Sequence, residues 1–387
     1  MPEMIMQSQV FRFEQMASQV KDKIEPAEAD VDRYVGLEHI DPESLKLRRW
    51  GETSEVESSK ILFRSGDIIF GKRRAYQRKL AVADFDGICS AHAMVLRPKT
   101  DVVVEEFLPF FMQSDTFMDR AVKISVGGLS PTINWRDLAK EEFALPTREA
   151  QRRIAELLRA AADVSETLLS LRRSAEALLR SAVDSAANRA VDRQSVVPLA
   201  ALVDPERPIC YGILMPGTGF EGGVPVVKVK DFPEGDIIVD GLLLTDPKID
   251  EEYKRSRLRT DDLLISIRGT IGRLAFVPMS LDGANITQDT ARLSIRPEHD
   301  SRFVRAVLES TFVQRQIVAF TTGLAVKGIN IGELRRIQIP IASLKEQQEV
   351  VQEVVAVRVA TQEIDKRLAQ SEKVRKALLA EYIGGSR

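Results

Sequence analysis

From Ile154 to Ala182 the chain places apolar or small residues alternately three and four positions apart: Ile154, Leu157, Ala161, Val164, Leu168, Leu171, Ala175, Leu178 and Ala182. This is the 3.5-residue period of a heptad seam. It predicts one long helix over about 149–184, ~54 Å at 1.5 Å per residue. A second long helix is predicted over about 345–382, where Val350, Val354, Val357, Thr361, Ile364 and Leu368 keep the same rhythm. Past Leu368 the seam weakens at Ser371 and Arg375, and Val374 and Leu378 are expected to take over after a stutter. One seam alone would leave a long apolar stripe in water, so the two are expected to bury theirs against each other.

Ahead of each long helix the pattern changes. Short apolar runs such as Ile68-Ile69-Phe70, Leu80-Ala81-Val82 and Met94-Val95-Leu96 read as strands between Gly, Pro and Asp punctuation. Short helical patterns lie at 104–121 and 301–319. The grammar also repeats. Asp67 in LFRSGDIIFGKRR aligns with Asp262 in RLRTDDLLISIRG, and Gly128-Leu129 with Gly323-Leu324. Ile133-Asn134 aligns with Ile329-Asn330, Leu138 with Leu334, Pro146 with Pro340, and Gln151 with Gln347. Five blocks in one order at an offset near half of 387 residues predict a tandem duplication. The expected fold is therefore α/β (α+β): two globular domains, each followed by a long α-helix, with the helices paired as an antiparallel coiled coil. The expected boundaries are 1–147 for the first domain, 148–190 for the central helix, 191–341 for the second domain and 342–387 for the C-terminal helix.

Composition narrows the function classes. Lys plus Arg number 55 and Asp plus Glu 57, a net charge of −2, which excludes a polybasic protein that coats nucleic acid by bulk charge. No apolar run approaches ~18 residues, so no membrane span is expected, and no signal peptide is visible at the N-terminus. Cys89 and Cys210 stand far apart, which excludes a disulfide framework and makes a reducing cytoplasm the default location. His39, His92 and His299 lack metal-ligand spacing, so no metal or cofactor is expected.

The near-zero net charge is an average over opposed segments. Residues 1–59 carry thirteen acidic and seven basic side chains, whereas 60–99 carry nine basic and three acidic. The densest point is Lys72-Arg73-Arg74-Ala75-Tyr76-Gln77-Arg78-Lys79, with five cations, an aromatic ring and no acid. Guanidinium forks suit phosphate oxygens and the guanine edge, and Gln pairs with adenine. The second half repeats the theme over 253–296 with eight basic and four acidic residues, among them Lys254, Arg255, Arg257, Arg259, Arg268 and Arg273; Lys228 and Lys230 lie upstream. Two duplicated domains held apart by helices of fixed length form a ruler suited to two points on a DNA duplex, where one groove face recurs every ~34 Å. Ile154, Leu157, Leu168, Leu171 and Leu178 with Val350, Val354, Val357, Ile364 and Leu368 are the expected helix-pairing residues.

Two enzymatic alternatives have some footing in the residues. Glu252-Tyr253-Lys254, with Asp246 or Asp250 upstream, has the E-x-K form of a metal-dependent nuclease, but the first repeat holds no counterpart. Gly217-Thr218-Gly219 and Glu221-Gly222-Gly223 lack the strand–helix setting of a methyl-donor fold, and no Asn-Pro-Pro-aromatic motif is present. A non-enzymatic alternative is a coiled-coil assembly scaffold that never touches DNA.

Several stretches resemble the specificity subunit of type I restriction-modification enzymes: YVGLEHID (34–41), GDIIFGKRRAYQRKLAVADFDGICS (66–90) and PTINWRDLAKEEFALP (131–146) in the first half. ICYGILMPG (209–217), GVPVVKVKDF (223–232) and IPIASLKEQQEVV (339–351) resemble it in the second. The resemblance covers nearly the whole chain in the family's own order. It departs at Thr147-Arg148-Glu149-Ala150-Gln151, where the family shows a Pro-Leu-x-Glu-Gln-like opening. It implies a non-catalytic subunit in which each target recognition domain reads half of a split DNA site. It also implies helices that set the spacer, two docked methyltransferase subunits, and restriction subunits that join them.

Overall fold

A computed structural model describes residues 8–233, 235–323 and 327–383. The chain divides into two compact units, the first holding the residues up to Leu169 together with those from Lys366 onward, the second holding Ser170–Asp365. Each unit thus contains part of both long helices, which span Arg148–Asp192 and Leu344–Tyr382.

Unit 1 is built on an antiparallel four-stranded sheet in the order Ala17–Val20, Met94–Pro98, Ile68–Phe70, Leu80–Val82. A five-stranded sheet adds Lys23–Ile24, Lys60–Phe63, Gly87–Cys89, Arg33–Val35 and Gly51–Glu52, and Gln9–Arg12 pairs with Glu142–Leu145. The predicted helical pattern over 104–121 resolves into two helices, Phe107–Gln113 and Asp115–Lys123. The break falls at Ser114, whose hydroxyl caps the second helix by accepting from the Phe117 amide. Phe13, Phe111, Phe117 and Phe143 meet edge-on or tilted with centroids 5.3–6.1 Å apart and anchor the core.

Unit 2 carries an antiparallel four-stranded sheet in the order Cys210–Tyr211, Thr290–Leu293, Leu263–Ser266, Leu274–Phe276. Its second sheet has three strands, Leu243–Thr245, Val224–Val227 and Asn285–Ile286, and Val196–Pro198 pairs with Gln338–Pro340. The helical pattern 301–319 again breaks in two, Ser301–Leu308 and Thr311–Phe320, with Ser310 as the capping residue. Of the aligned sequence blocks, Leu324 lies outside the described residues.

Each long helix is tied to its own β-body by a buried glutamine in its first turn. Gln151, 1% exposed, accepts the Val104 amide at 2.8 Å and donates to the Pro146 carbonyl at 3.0 Å. Gln347, 2% exposed, accepts the Asp300 amide at 3.0 Å and donates to the Ala342 carbonyl at 2.9 Å. The unusual opening at 147–151 therefore still starts the helix, with the Thr147 hydroxyl accepting from the Ala150 amide.

The seam of the central helix differs from its expected course. Leu157, Val164, Leu171 and Leu178 are 39–63% exposed. The packed side holds Ile154, Leu158 and Ser165 within unit 1 and Arg172, Leu179, Val183 and Ala186 within unit 2, while Ala161, Leu168, Ala175 and Ala182 are half-buried. Every second seam position is displaced by one residue, because polar Ser165 and Arg172 occupy it and find partners there. In unit 1, Ser165 Oγ lies 2.8 Å from Ser371 Oγ. In unit 2, Arg172 meets Asp365 at 2.9 Å. On the C-terminal helix Val350, Val354 and Ile364 are buried, and Val357, Thr361 and Leu368 half-buried. The expected stutter does not occur: Ser371 and Arg375 continue the packed side and Val374 is exposed. Arg375, 5% exposed, is accommodated by Gln113 at 3.2 Å, Glu372 at 3.0 Å and Glu43 at 3.6 Å.

Both helix starts can be tested by substitution. Gln151→Leu strands the buried Val104 amide and leaves the half-buried Pro146 carbonyl without its donor, so urea denaturation should show a destabilisation of about 1–3 kcal/mol. At the other helix, Arg193 and Ser343 hold the Glu346 carboxyl at about 2. A carboxylate depressed on folding stabilises the fold above its ordinary value, here 4.5, and that contribution disappears as pH falls toward 2. Protection factors of the amides around 343–347 should therefore fall between those pH values in the wild type, and Glu346→Gln should show the lower protection already at neutral pH.

Candidate nucleic-acid interface

In unit 1 the buried strand Ile68–Phe70 runs into Gly71, whose amide donates to the Lys79 carbonyl at 2.9 Å and closes a loop over 72–78. Arg74 and Arg78 adopt left-handed backbone conformations, φ 58° and 53°. Such strain in residues with a Cβ persists only where neighbours enforce it. Here the Arg74 amide donates to the Pro131 carbonyl at 2.7 Å, the Arg73 amide to the His92 carbonyl at 3.3 Å, and the Ile133 amide to the Lys72 carbonyl at 2.9 Å.

The five cations separate by role. Arg78 donates to Asp115 and to the Gln113 carbonyl at 2.7 and 2.6 Å, and Lys79 Nζ to the Leu37 carbonyl at 2.6 Å. Both are committed to the fold. Lys72 is half-buried, and burial lowers its pKa. Gln77 is also half-buried. The exposed residues are Arg74, with Nε donating to Ser130 Oγ at 3.2 Å, and Tyr76, 55% exposed; beside them half-buried Arg73 has Nη1 3.1 Å from His92 Nε2. Sequence reasoning passed over the neighbouring loop 125–131, where Val126 and Leu129 are 67% and 97% exposed. Their signal was available: apolar side chains flanking a Gly-Gly turn with nothing local to cover them.

In unit 2 the corresponding loop follows strand Leu263–Ser266. Arg268, 50% exposed at its side chain, donates to Gln288 at 2.9 Å and lies 3.9 Å from Asp289. Its backbone bridges Gly328 as that of Arg73 bridges Thr132, and the Ile329 amide donates to the Ile267 carbonyl at 2.9 Å. Arg273 is half-buried at the far side of the same turn.

The other second-half candidates lie elsewhere. Lys254 pairs with Glu251 at 3.3 Å, Arg257 pairs with Asp250 and Glu251 at 2.6 Å each, and Arg255 is exposed. These residues precede strand Leu263–Ser266, whereas Arg268 follows it, so the two groups sit at opposite ends of that strand. Lys228 and Lys230 border a third place, a shallow cavity with Thr218–Glu221. The single basic stretch 253–296 is thus divided by the fold, because strand pairing sends its ends in opposite directions.

The nuclease alternative finds no geometry. Asp246 caps a helix through the Lys248 amide, and Asp250 is held by Arg257 and Asn285. Among the described residues no group of three or more His, Cys, Asp or Glu is placed to hold a metal. Burial pushes the Cys89 thiol up to about 12, which removes it as a nucleophile. Among the described residues no helix is long and apolar enough to cross a membrane.

Comparison with known proteins matches residues 9–173 to the type I restriction modification DNA specificity domain. The type I restriction enzyme EcoBI specificity subunit of Escherichia coli is 30% identical over 191 residues, 48% of this chain and 40% of that protein. The EcoDI specificity subunit of the same organism is 32% identical over 138 residues, 35% of this chain and 30% of that protein. The matched part thus spans less than half the length of these curated relatives. The fold resembles a chain from a structural study of complex assembly and conformational transition of the type I R-M system, with TM-score 0.58 and 20% identity over 98% of both chains. It also resembles the S subunit of a type I restriction-modification system from M. genitalium, with TM-score 0.57 and 15% identity over 98% of this chain and 97% of that one.

The division of roles within the 72–79 loop is testable without any ligand. Arg78→Ala removes charge-assisted bonds to Asp115 and the Gln113 carbonyl and should cost about 1–3 kcal/mol in chemical denaturation, whereas Arg74→Ala should stay within about 0.5 kcal/mol of the parent.

Proposed function

From the match of residues 9–173 to the type I restriction modification DNA specificity domain, we propose that this chain is the non-catalytic DNA specificity subunit of a type I restriction-modification complex. One observation carries the reading. Two four-stranded antiparallel sheets of matching strand order each present an arginine-bearing loop at the same strand end, Arg73 in unit 1 and Arg268 in unit 2. Each loop reads one half of a bipartite duplex site, with Arg74 and Tyr76 beside Arg73. Phosphate contacts position the domains and one or two guanidinium forks read base edges in the major groove.

The domain limits 1–147 and 191–341, the helices 148–190 and 342–387, and the tandem duplication belong to this proposal. Its support is the recurrence of Gln151 and Gln347, of Ser114 and Ser310, and of Asp67 and Asp262 in the same local roles. We read the long helices as an antiparallel coiled coil that sets the spacer. Within unit 2, Arg172 meets Asp365 while Arg193 meets Glu346, pairs that run in opposite senses along the two helices. The exposed row Leu157, Val164, Leu171 and Leu178 favours protein partners on the central helix, two methyltransferase subunits with restriction subunits joining them. No cofactor or metal is assigned to the chain itself, and a cytoplasmic setting follows from its DNA substrate.

Replacing Arg73 and Arg74 with Ala in the complex with its methyltransferase should weaken DNA binding by about 1–3 kcal/mol for each base edge left unread, and sequence choice at that base should relax. Unchanged affinity and motif would remove the loop from the interface. The spacer assignment predicts that four residues, about one helical turn, inserted near Ala160 alter the spacer length found by methylome sequencing. A chain that only scaffolds would show no sequence preference at any salt, against the steep salt dependence expected of phosphate contacts.

A further inference from the structure

The cations that the fold separates from the Arg268 loop line a cavity of their own. About 520 Å³ in volume, it is bordered in unit 2 by seven arginines and lysines and by Glu206 and Asp282; Arg207, Lys254 and Arg257 are paired with Asp262, Glu251 and Asp250, which leaves Arg255, Arg259, Arg292 and Arg335 as the cations without a carboxylate partner among those pairs. Arg292, on strand Thr290–Leu293, belongs to this lining and is 2% exposed. Its two terminal nitrogens donate to the Arg257 and Pro208 carbonyls at 3.2 Å each, and its Nε has no partner. Asp262, the nearest carboxylate that bears on it, is engaged elsewhere: it takes both Nη atoms of Arg207 at 2.9 Å and the Ser294 hydroxyl at 2.6 Å. Burial and the neighbouring Arg207 and Arg259 lower the Arg292 pKa.

The fold does not require an arginine there. Arg292 pairs with Leu264, two residues after Asp262; in unit 1 the residue paired with Ile69, two after Asp67, is Val95, wholly buried. A buried cation in place of a core valine, without its own carboxylate and beside exposed Arg255 and Arg259, costs stability unless an anion compensates it. The multiple guanidinium groups match the oxygens of a phosphate better than a lone carboxylate, and the volume falls within the ~300–1,000 Å³ of small-ligand sites.

We propose that this cavity binds a phosphate-class anion, a phosphoryl or pyrophosphoryl group, with Arg292 as its buried charge and Arg255 and Arg259 at its rim. The site is separate from the reading loop, since strand Leu263–Ser266 lies between them, roughly 13 Å at ~3.3 Å per residue. It stands independently of the DNA-reading assignment. The phosphate comes either from the backbone of a bound duplex or from a free phosphorylated molecule.

Calorimetric titration of the full chain with inorganic pyrophosphate at low salt tests it. Arg255→Gln combined with Arg259→Gln, both at exposed positions, should weaken binding about tenfold or more, while Arg73→Ala with Arg268→Ala should leave it unchanged. Arg292→Val, which installs the residue of the other unit, should abolish binding while the urea midpoint holds or rises. Saturating random-sequence duplex separates the sources: displaced pyrophosphate assigns the site to DNA backbone, retained pyrophosphate to a free phosphorylated ligand. Absence of pyrophosphate binding overturns the proposal, as does equal binding by the Arg255/Arg259 variant or by a destabilised Arg292→Val.

Discussion

One buried glutamine per long helix ties that helix to the β-body it follows, and the rest of each unit is arranged around this joint. Gln151 and Gln347 each bind the amide of a residue just ahead of a short helix of the β-body and the carbonyl of the residue before their own helix's first turn. The glutamines themselves are buried and their backbone partners buried or half-buried, so releasing one leaves a backbone polar group poorly solvated. A side chain with one donor end and one acceptor end is what this joint requires. Glu would lack the donor and Leu both. The start of each helix is thereby fixed against the sheet that carries the arginine loop of the same unit.

Polar groups also decide how the helices pack. Ser165, Arg172, Ser371 and Arg375 occupy packed positions where Leu or Val would be expected, and each finds a specific partner within its own unit. An apolar seam tolerates slippage by a heptad; a seam with specific polar pairs, buried at Ser165 and Arg375 and half-exposed at Arg172, does so only by breaking them. Register is therefore specified at some expense of stability. The same residues explain why the periodicity points to the wrong row. Leu157 adjoins Leu158, Val164 adjoins Ser165, Leu171 adjoins Arg172 and Leu178 adjoins Leu179. At 164 and 171 only the exposed member of the pair is apolar, and a 3-4 pattern anchored on those two selects 157 and 178 as well, where both members are leucine. The helices themselves, and their lengths to within a few residues, were legible because period and length survive a one-residue displacement.

The candidate interface was legible to a different depth. The 72–79 cluster could be located from charge alone, but not which of its cations face outward. Arg78 and Lys79 are consumed by the carbonyls of Gln113 and Leu37, 35 and 42 residues away. Carbonyl acceptors leave no mark in the sequence, since every residue has one. Leu129 and Val126 were missed for the converse reason: apolar residues near a Gly-Gly turn look like ordinary core until the turn is seen to project. In the second half, charge counting merged Lys254–Arg257 with Arg268 because strand Leu263–Ser266, which carries them apart, is only four residues long.

The two bodies hold different side chains to one framework. In unit 1 Asp67 is clamped by Arg97 from the neighbouring strand; in unit 2 Asp262 is clamped by Arg207 from a preceding turn, and Ser294 stands where Arg97 would be. The carboxylate that closes the turn before the central strand is thus kept, while its counter-charge is supplied from another direction. Once Arg207 holds Asp262, an arginine elsewhere on the sheet is no longer needed to neutralise it. Arg292 is such a residue, placed where the other body buries a valine. Framework constraints act on pairs of groups, so either partner is free to move so long as the pair survives. Two bodies of matching strand order can therefore keep the same joint, turn and helix while their outward chemistry diverges.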